Sequence, residues 1–138
     1  MRIKSLVLFV LFLFPVRLAL SSEPSVTLVC TAPHQSAQTA SISKLCDLLA
    51  KSLVQNGLQV ARADVVPPGR DQNVIWLVVD RLSGRLVSGR LEWRQAGAVR
   101  ASVGPQIETI ISDSELNDSA LGHFINGLVA ESKLNFGN

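Results

Sequence analysis

Hydrophobic residues recur along the chain with two different periods, and these periods predict its secondary structure. A short apolar run at 26–30 is typical of a buried strand. Apolar residues then recur at steps of three and four over 42–54, which predicts a helix that Asn56 and Gly57 end. Alternating apolar and polar positions at 58–63 predict a second strand with one dry face.

The middle of the chain predicts a meander of strands. Every residue over 74–79 is apolar, β-branched or aromatic, as in a central strand covered on both faces. Residues 86–94 alternate between apolar and polar and predict a half-buried strand, followed by a turn at 95–97. A further strand is predicted from 99 until Gly104 and Pro105 disrupt it, and residues 107–111 resume it past a bulge. The residues expected to face inward at its start are Val99, Ala101 and Val103.

The C-terminal segment has the spacing of an amphipathic helix, and Asn117 or Asp118 can cap it. Its apolar positions are Leu121, Phe124, Ile125, Leu128 and Val129. The order of elements is therefore β-α-β-β-β-β-α. This order predicts a two-layer α/β sandwich, in which a mixed sheet of four to five strands carries both helices on one face. The right-handed crossover rule makes the first two strands parallel neighbours or near neighbours.

The N-terminus has the three parts of a cleavable secretory signal. Arg2 and Lys4 supply a basic start, residues 6–14 are all apolar, and Ala19 and Ser21 are the small side chains that the peptidase requires. We therefore expect residues 1–21 to be a signal peptide that is removed after Ser21.

The same segment is a poor membrane anchor, because a spanning helix needs about 20 uninterrupted apolar residues. Pro15 and Arg17 interrupt this one. We expect a periplasmic or otherwise secreted protein with no stable membrane insertion. It would consist of a single domain over 22–134 and a frayed tail over 135–138.

Removal of the signal peptide also changes the charge of the chain. The full sequence has 13 basic and 11 acidic residues, and cleavage leaves ten basic against the same eleven acidic ones. The basic excess that nucleic-acid binding requires is therefore absent from the predicted domain. Arginines concentrate within 81–100. Such a local excess of positive charge can steer an anionic partner, and arginines on a solvated strand face explain the same pattern.

Both cysteines, Cys30 and Cys46, follow the predicted signal peptide. Two cysteines in an oxidising compartment favour a disulfide, which here would close a loop of about 15 residues and stabilise the fold by about 3 kcal/mol. No metal site is expected, because only His34 and His123 could join the cysteines and no ligand spacing is present. No motif indicates a cofactor either.

The order of elements, together with a signal peptide, resembles that of the small α/β domain at the N-terminus of TolB and of the related LpoB-like and PelC-like envelope proteins. The resemblance covers most of the predicted domain. It implies an accessory role in periplasmic assemblies, and it carries over no functional residue.

Function is predicted from the surface, because no catalytic motif such as the G-x-S-x-G nucleophile elbow is present and a non-enzymatic role is expected. If both helices lie on one sheet face, one apolar side of 74–79 still needs a cover. The N-terminal segment or the loop at Pro67 could supply it. Otherwise the open face binds another envelope protein or a second copy. The candidate contact residues are Trp76, Arg90, Arg94 and Arg100.

A second hypothesis is a small-ligand or anion-binding module that uses the loop before the first helix. His34, Ser36 and Thr39 precede a helix N-terminus, where anions are favoured, although a solvated polar loop explains the same residues. A third alternative, a small hydrolase, would require a deep pocket with convergent ionisable groups.

Overall fold

The computed structural model describes residues 25–31 and 39–136, so the predicted signal peptide, His34 and Ser36 lie outside the described residues. The elements in chain order are β1 (Ser25–Thr31), α1 (Thr39–Gln55), β2 (Gln59–Ala63), β3 (Asn73–Leu82), β4 (Leu86–Arg94), β5 (Ser102–Val103), β6 (Ile107–Ile110) and α2 (Asp118–Ser132).

The strands form one mixed sheet in the order β2-β1-β3-β4-β5, with β6 also pairing with β4. β1 runs parallel to β2 and β3, whereas β4 is antiparallel to β3, β5 and β6. Both helices pack on the same face of this sheet. The predicted two-layer α/β sandwich is therefore confirmed. The last predicted strand is divided into β5 and β6, because Gly104 and Pro105 interrupt its pairing with β4.

Local signals in the sequence account for the ends of both helices. Gly57 follows α1 with a φ of 86°, a left-handed conformation that glycine adopts without steric cost. Asn117 caps α2, because its side-chain oxygen accepts a hydrogen bond of 2.9 Å from the amide nitrogen of Ala120. The end of α1 and the start of α2 thus lie at residues that the sequence indicates for these roles.

The hydrophobic core lies between the helix layer and the sheet face that it covers. Its fully buried members include Leu28, Leu45, Leu49, Leu53, Ile75, Leu77, Leu91, Phe124 and Leu128. Beyond α2, Leu134 and Phe136 are half buried against this core. The chain therefore keeps contact with the core as far as Phe136, which lies within the tail expected to be frayed over 135–138. Residues 137–138 lie outside the described residues.

The alternation in β4 predicts its two faces correctly, with Val87 and Leu91 toward the helices. The inward face predicted for the next strand is wrong. Val99 and Val103 are 71% and 62% exposed, and Ala101 is exposed as well. Only two residues of this segment pair with β4, so the chain does not form a strand long enough to place an apolar face in the core.

Gly89 in β4 allows a close approach between β4 and β3. A Cβ atom at this position would overlap the carbonyl oxygen of Val78 and lie 3.2 Å from the Cα atom of Val79. We expect Gly89→Ala to lower the free energy of unfolding by about 1–3 kcal/mol, as overpacking does elsewhere. Urea unfolding measures the change, and Gly84→Ala is the matched control, because a Cβ atom there meets nothing within 4 Å. Equal stabilities of the two variants would contradict the proposed crowding.

Candidate functional site

The sheet face opposite the helices is the candidate interaction surface, and we call it the outer face. Residues on β3 alternate between the two faces: Ile75, Leu77 and Val79 join the core under the helices, so Trp76 and Val78 face outward. The strand registers place the remaining members. The outer face includes Thr27, Val29, Val74, Trp76, Val78, Arg90, Glu92, Arg94, Val103 and Ile110.

Two of the predicted contact residues, Trp76 and Arg94, touch each other on this face. The Arg94 guanidinium carbon lies 5.8 Å from the centroid of the Trp76 ring, within the range of a cation–π interaction. Nη2 of Arg94 also donates a 2.9 Å hydrogen bond to the carbonyl oxygen of Gly69. Nε of the same side chain is buried and makes no hydrogen bond to the described part of the chain.

The loop over 64–72 crosses the outer face. It connects β2 to β3, which lie on opposite sides of β1, and the helices occupy the other face. A right-handed parallel connection in this direction must pass on the outer side. Two hydrogen bonds place it there: Arg94 donates to Gly69, and the Thr27 hydroxyl donates to the Gln72 side chain at 3.2 Å. The loop at Pro67 is thus one of the covers that the sequence suggests.

The two apolar outer-face residues in this region are well protected. Val29 is 1% exposed and Val74 is fully buried, although neither belongs to the core under the helices. Thr27 pairs with Val74, and Val74 pairs with Arg94, so the two side chains that bond the loop flank Val74 on either side. This half of the outer face is therefore a small second core rather than a free apolar patch.

The third predicted contact residue, Arg90, is held in an ion-pair triad. Nη1 of Arg90 lies 3.1 Å from a carboxylate oxygen of Asp80, and Nη2 lies 2.9 Å from a carboxylate oxygen of Glu92. The hydrogen bond to Glu92, with the charge of Asp80 beside it, raises the pKa of the Arg90 guanidinium above its ordinary value. Arg90 is therefore not a free cation on this surface, and the triad carries one net negative charge.

The uncovered part of the outer face ends at exposed aliphatic side chains. Val103 on β5 is 62% exposed and Ile110 on β6 is 65% exposed. Arg100, the fourth predicted contact residue, is exposed in the segment before β5. Sequence reasoning missed the two aliphatic residues, although short strands on both sides of Gly104 and Pro105 are a recognisable sign of a sheet edge.

The disulfide predicted between Cys30 and Cys46 is confirmed. Cys30 lies near the end of β1 and Cys46 lies in the second turn of α1, and their Cα atoms are 6.1 Å apart. This is an ordinary separation for the bond. The bridge ties the helix layer to the second strand of the sheet.

A cavity of about 260 Å³ lies between the first turns of the two helices and the turn that joins β3 to β4. Its lining residues are Ser41, Leu82, Ser83, Gly84, Glu115, Leu116 and Leu121. Glu115 is the one ionisable group among them, and its carboxylate disfavours an anion. Thr39 is the first residue of α1, and the anion site predicted at His34, Ser36 and Thr39 stays a prediction.

Two other kinds of site are absent from the described ranges. No group of three or more histidine, cysteine, aspartate or glutamate side chains in 25–31 and 39–136 is placed to hold a metal ion. In that same part of the chain, no helix is both long enough and apolar enough to cross a bilayer. His123 is exposed on α2, as expected from its position beside the apolar stripe.

Comparison with known proteins identifies solved structures of the same fold. No family model matches the sequence, and no curated protein matches it. The PelC dodecamer from Paraburkholderia phytofirmans superposes with a TM-score of 0.56 at 15% identity, covering 82% of this chain and 89% of that one. A single-substitution variant of that dodecamer gives the same TM-score at 17% identity, with 82% and 88% coverage. Of the three resemblances drawn from the sequence, the one to PelC-like proteins is thus supported at the level of the fold, and those to TolB and LpoB-like proteins are not.

Proposed function

We propose that this chain is an exported, non-enzymatic accessory protein of the cell envelope that acts by binding a protein through its outer face. The observation that carries the proposal is the absence of a second helix layer over β3 and β4 in the described structure. The β4 side of that face combines the exposed side chains of Val103 and Ile110 with the partly buried triad of Asp80, Arg90 and Glu92. A surface of this mixed composition suits a non-obligate interface, which as a whole is about as apolar as the rest of a protein surface.

Export is supported by the disulfide and by the N-terminal sequence. Disulfides form and persist in oxidising compartments such as the bacterial periplasm and are rare in the cytosol. The bridge between Cys30 and Cys46 therefore fits a chain that carries a basic start, an apolar run and a small-residue cleavage site. We propose the periplasm as the compartment.

A second copy of the chain is the first partner that we propose. Both PelC structures with this fold are dodecamers, and a protein of this shape can therefore build a repeated interface. Val103 and Ile110 lie along one edge of the outer face, where they can pack against a neighbouring copy. Another envelope protein is the alternative partner.

We propose a non-enzymatic role, because the lining of the described cavity brings no catalytic pair together. Acid–base or nucleophilic catalysis requires at least two groups in mutual reach, such as a nucleophile and its base. Glu115 has no second ionisable group beside it in the cavity lining. We propose that this cavity is a packing defect where the first turns of the helices meet the β3–β4 turn.

The test compares lysine substitutions on the two faces of the molecule. We expect the double variant Val103→Lys and Ile110→Lys to weaken self-association of the exported protein, because it places two charges in the proposed apolar contact. Sedimentation velocity over a range of concentrations measures the effect. Val54→Lys is the matched control, because Val54 is 57% exposed on α1 and a lysine suits the last turn of a helix.

Two results would contradict the proposal. One is equal weakening by the control and by the double variant. The other is a wild-type protein that stays monomeric at high concentration and whose outer face gives no crosslinked product in cells. The second result would exclude both a second copy and another envelope protein.

A further inference from the structure

The loop over 64–72, which we call the strap, covers apolar surface without contributing much of its own. Val65 and Val66 are exposed, and Pro67 is the one residue between 64 and 72 that is half buried. Beneath the strap, Val29 and Val74 are nearly or fully buried. The segment thus protects a strip of β1 and β3, while its own side chains other than Pro67 remain in solvent.

Three hydrogen bonds among the described residues hold the strap near its C-terminal end. Arg94 and Thr27 donate from the outer face to Gly69 and Gln72, and the amide nitrogen of Gly97 donates to the carbonyl oxygen of Arg70. The side-chain bonds of Thr27 and Arg94 are solvent-exposed. A segment with few buried apolar contacts and exposed hydrogen bonds belongs to the part of a protein that opens at low free-energy cost.

The strap engages Arg94, which stacks on Trp76, and these two side chains are the ones best suited to a partner. Tryptophan and arginine are among the residue types most enriched at the energetic centres of interfaces. Here Arg94 stacks over Trp76 and bonds the strap, while its buried Nε lacks a hydrogen-bond partner in the described structure. A partner that offers acceptors to both Nη2 and Nε of Arg94 could therefore compete with the strap for this side chain.

We infer that the strap is an autoinhibitory cover, which a second copy of the chain displaces in order to reach Val74, Trp76 and Arg94. This inference rests on the proposed function and adds its regulation. Two copies can associate through the edge at Val103 and Ile110 while the strap is closed. A contact that also includes Val74, Trp76 and Arg94 requires the strap to open. The apparent affinity is then reduced by the fraction of molecules in which the strap is open.

The principal test loosens the strap without touching the surface beneath it. The double variant Pro67→Gly and Pro68→Gly enlarges the conformational freedom of the loop and leaves Trp76 and Arg94 in place. We expect faster hydrogen exchange at the amides of 69–74 and a dissociation constant for self-association that is lower by about 5-fold or more. Hydrogen exchange and sedimentation are measured on the same exported protein.

A second pair of variants separates the hydrogen bond between Arg94 and Gly69 from general charge effects. Arg94→Gln removes both this bond and the stacking on Trp76. It is expected to speed exchange in the strap without strengthening association, because it also removes a contact residue. Arg100→Gln is the control: Arg100 is exposed and forms no ion pair with the described residues, so exchange in the strap should not change.

Two outcomes would overturn the inference while leaving the proposed function intact. In the first, exchange in the strap is no faster in either the proline variant or Arg94→Gln, which would make the strap a fixed part of the fold. In the second, the strap loosens but the proline variant associates no more tightly than the wild type. Weakening by Val103→Lys and Ile110→Lys tests the proposed function separately, because β5 and β6 supply none of the three hydrogen bonds that hold the strap.

Discussion

Phe124→Ala is expected to lower the free energy of unfolding by about 3–5 kcal/mol, the largest effect that we expect for a single substitution. Phe124 is the largest fully buried side chain in the described structure, and it packs where α2 meets α1 and the sheet. Alanine would leave a cavity that the surrounding leucines cannot close without moving both layers. Urea-induced unfolding of the exported protein measures the loss.

The neighbouring residue provides the control for Phe124. His123 is exposed on the same helix, so His123→Ala should change the free energy of unfolding by no more than about 0.5 kcal/mol. A similar loss in both variants would show that α2 tolerates no change at all. A loss below about 1 kcal/mol for Phe124→Ala would contradict the burial of this side chain between the helices and the sheet.

Removal of the disulfide is the second large effect. Replacing both Cys30 and Cys46 by alanine is expected to cost about 3 kcal/mol, because the bridge joins residues 16 apart and restricts the unfolded chain. The same unfolding measurement applies. Reductant added to the wild type should reproduce the loss, whereas it should leave the double variant unchanged. Free thiols in protein exported without reductant would contradict both the bridge and the argument for an oxidising compartment.

The elements and their faces can be predicted because they depend on local patterns. Steps of three and four residues fix α1 and α2, and strict alternation over 86–94 separates Leu91 from Arg90 and Glu92. The continuous apolar run at 74–79 correctly predicts a central strand, since β3 has a neighbour on each side. In each case the residues that carry the signal also make the contact.

The errors arise where the structure depends on distant parts of the chain. Val103 has the spacing of a buried strand residue, yet it lies at a sheet edge, because Gly104 and Pro105 leave β5 only two residues long. Alternation alone does not show whether a strand lies at the centre or at an edge. The sequence also leaves several covers open for the apolar side of 74–79. The path of 64–72 across the outer face follows from the strand order, which no local pattern gives.

The residues of the candidate site can be predicted one by one, but their arrangement cannot. Trp76 and Arg94 are 18 positions apart in sequence, and the antiparallel register of β3 and β4 brings them together. The pairing of β3 with β4 also brings Asp80 to Arg90, which already has Glu92 two residues away on its own strand, and these ion pairs remove Arg90 as a free contact. Arg100 lies outside the sheet, in the segment before β5. Composition indicates an arginine-rich surface. Only the pairing of strands decides which arginines are already engaged.

The most direct test of the central claim is site-specific photocrosslinking in the cell that makes the protein. A photoreactive residue at 103, on the bare edge of the outer face, should capture a protein partner, either a second copy or another envelope protein. The same residue at 54, on the exposed side of α1, should capture little. Capture at 54 equal to that at 103, or no product at 103, would contradict the claim that this protein acts through its outer face.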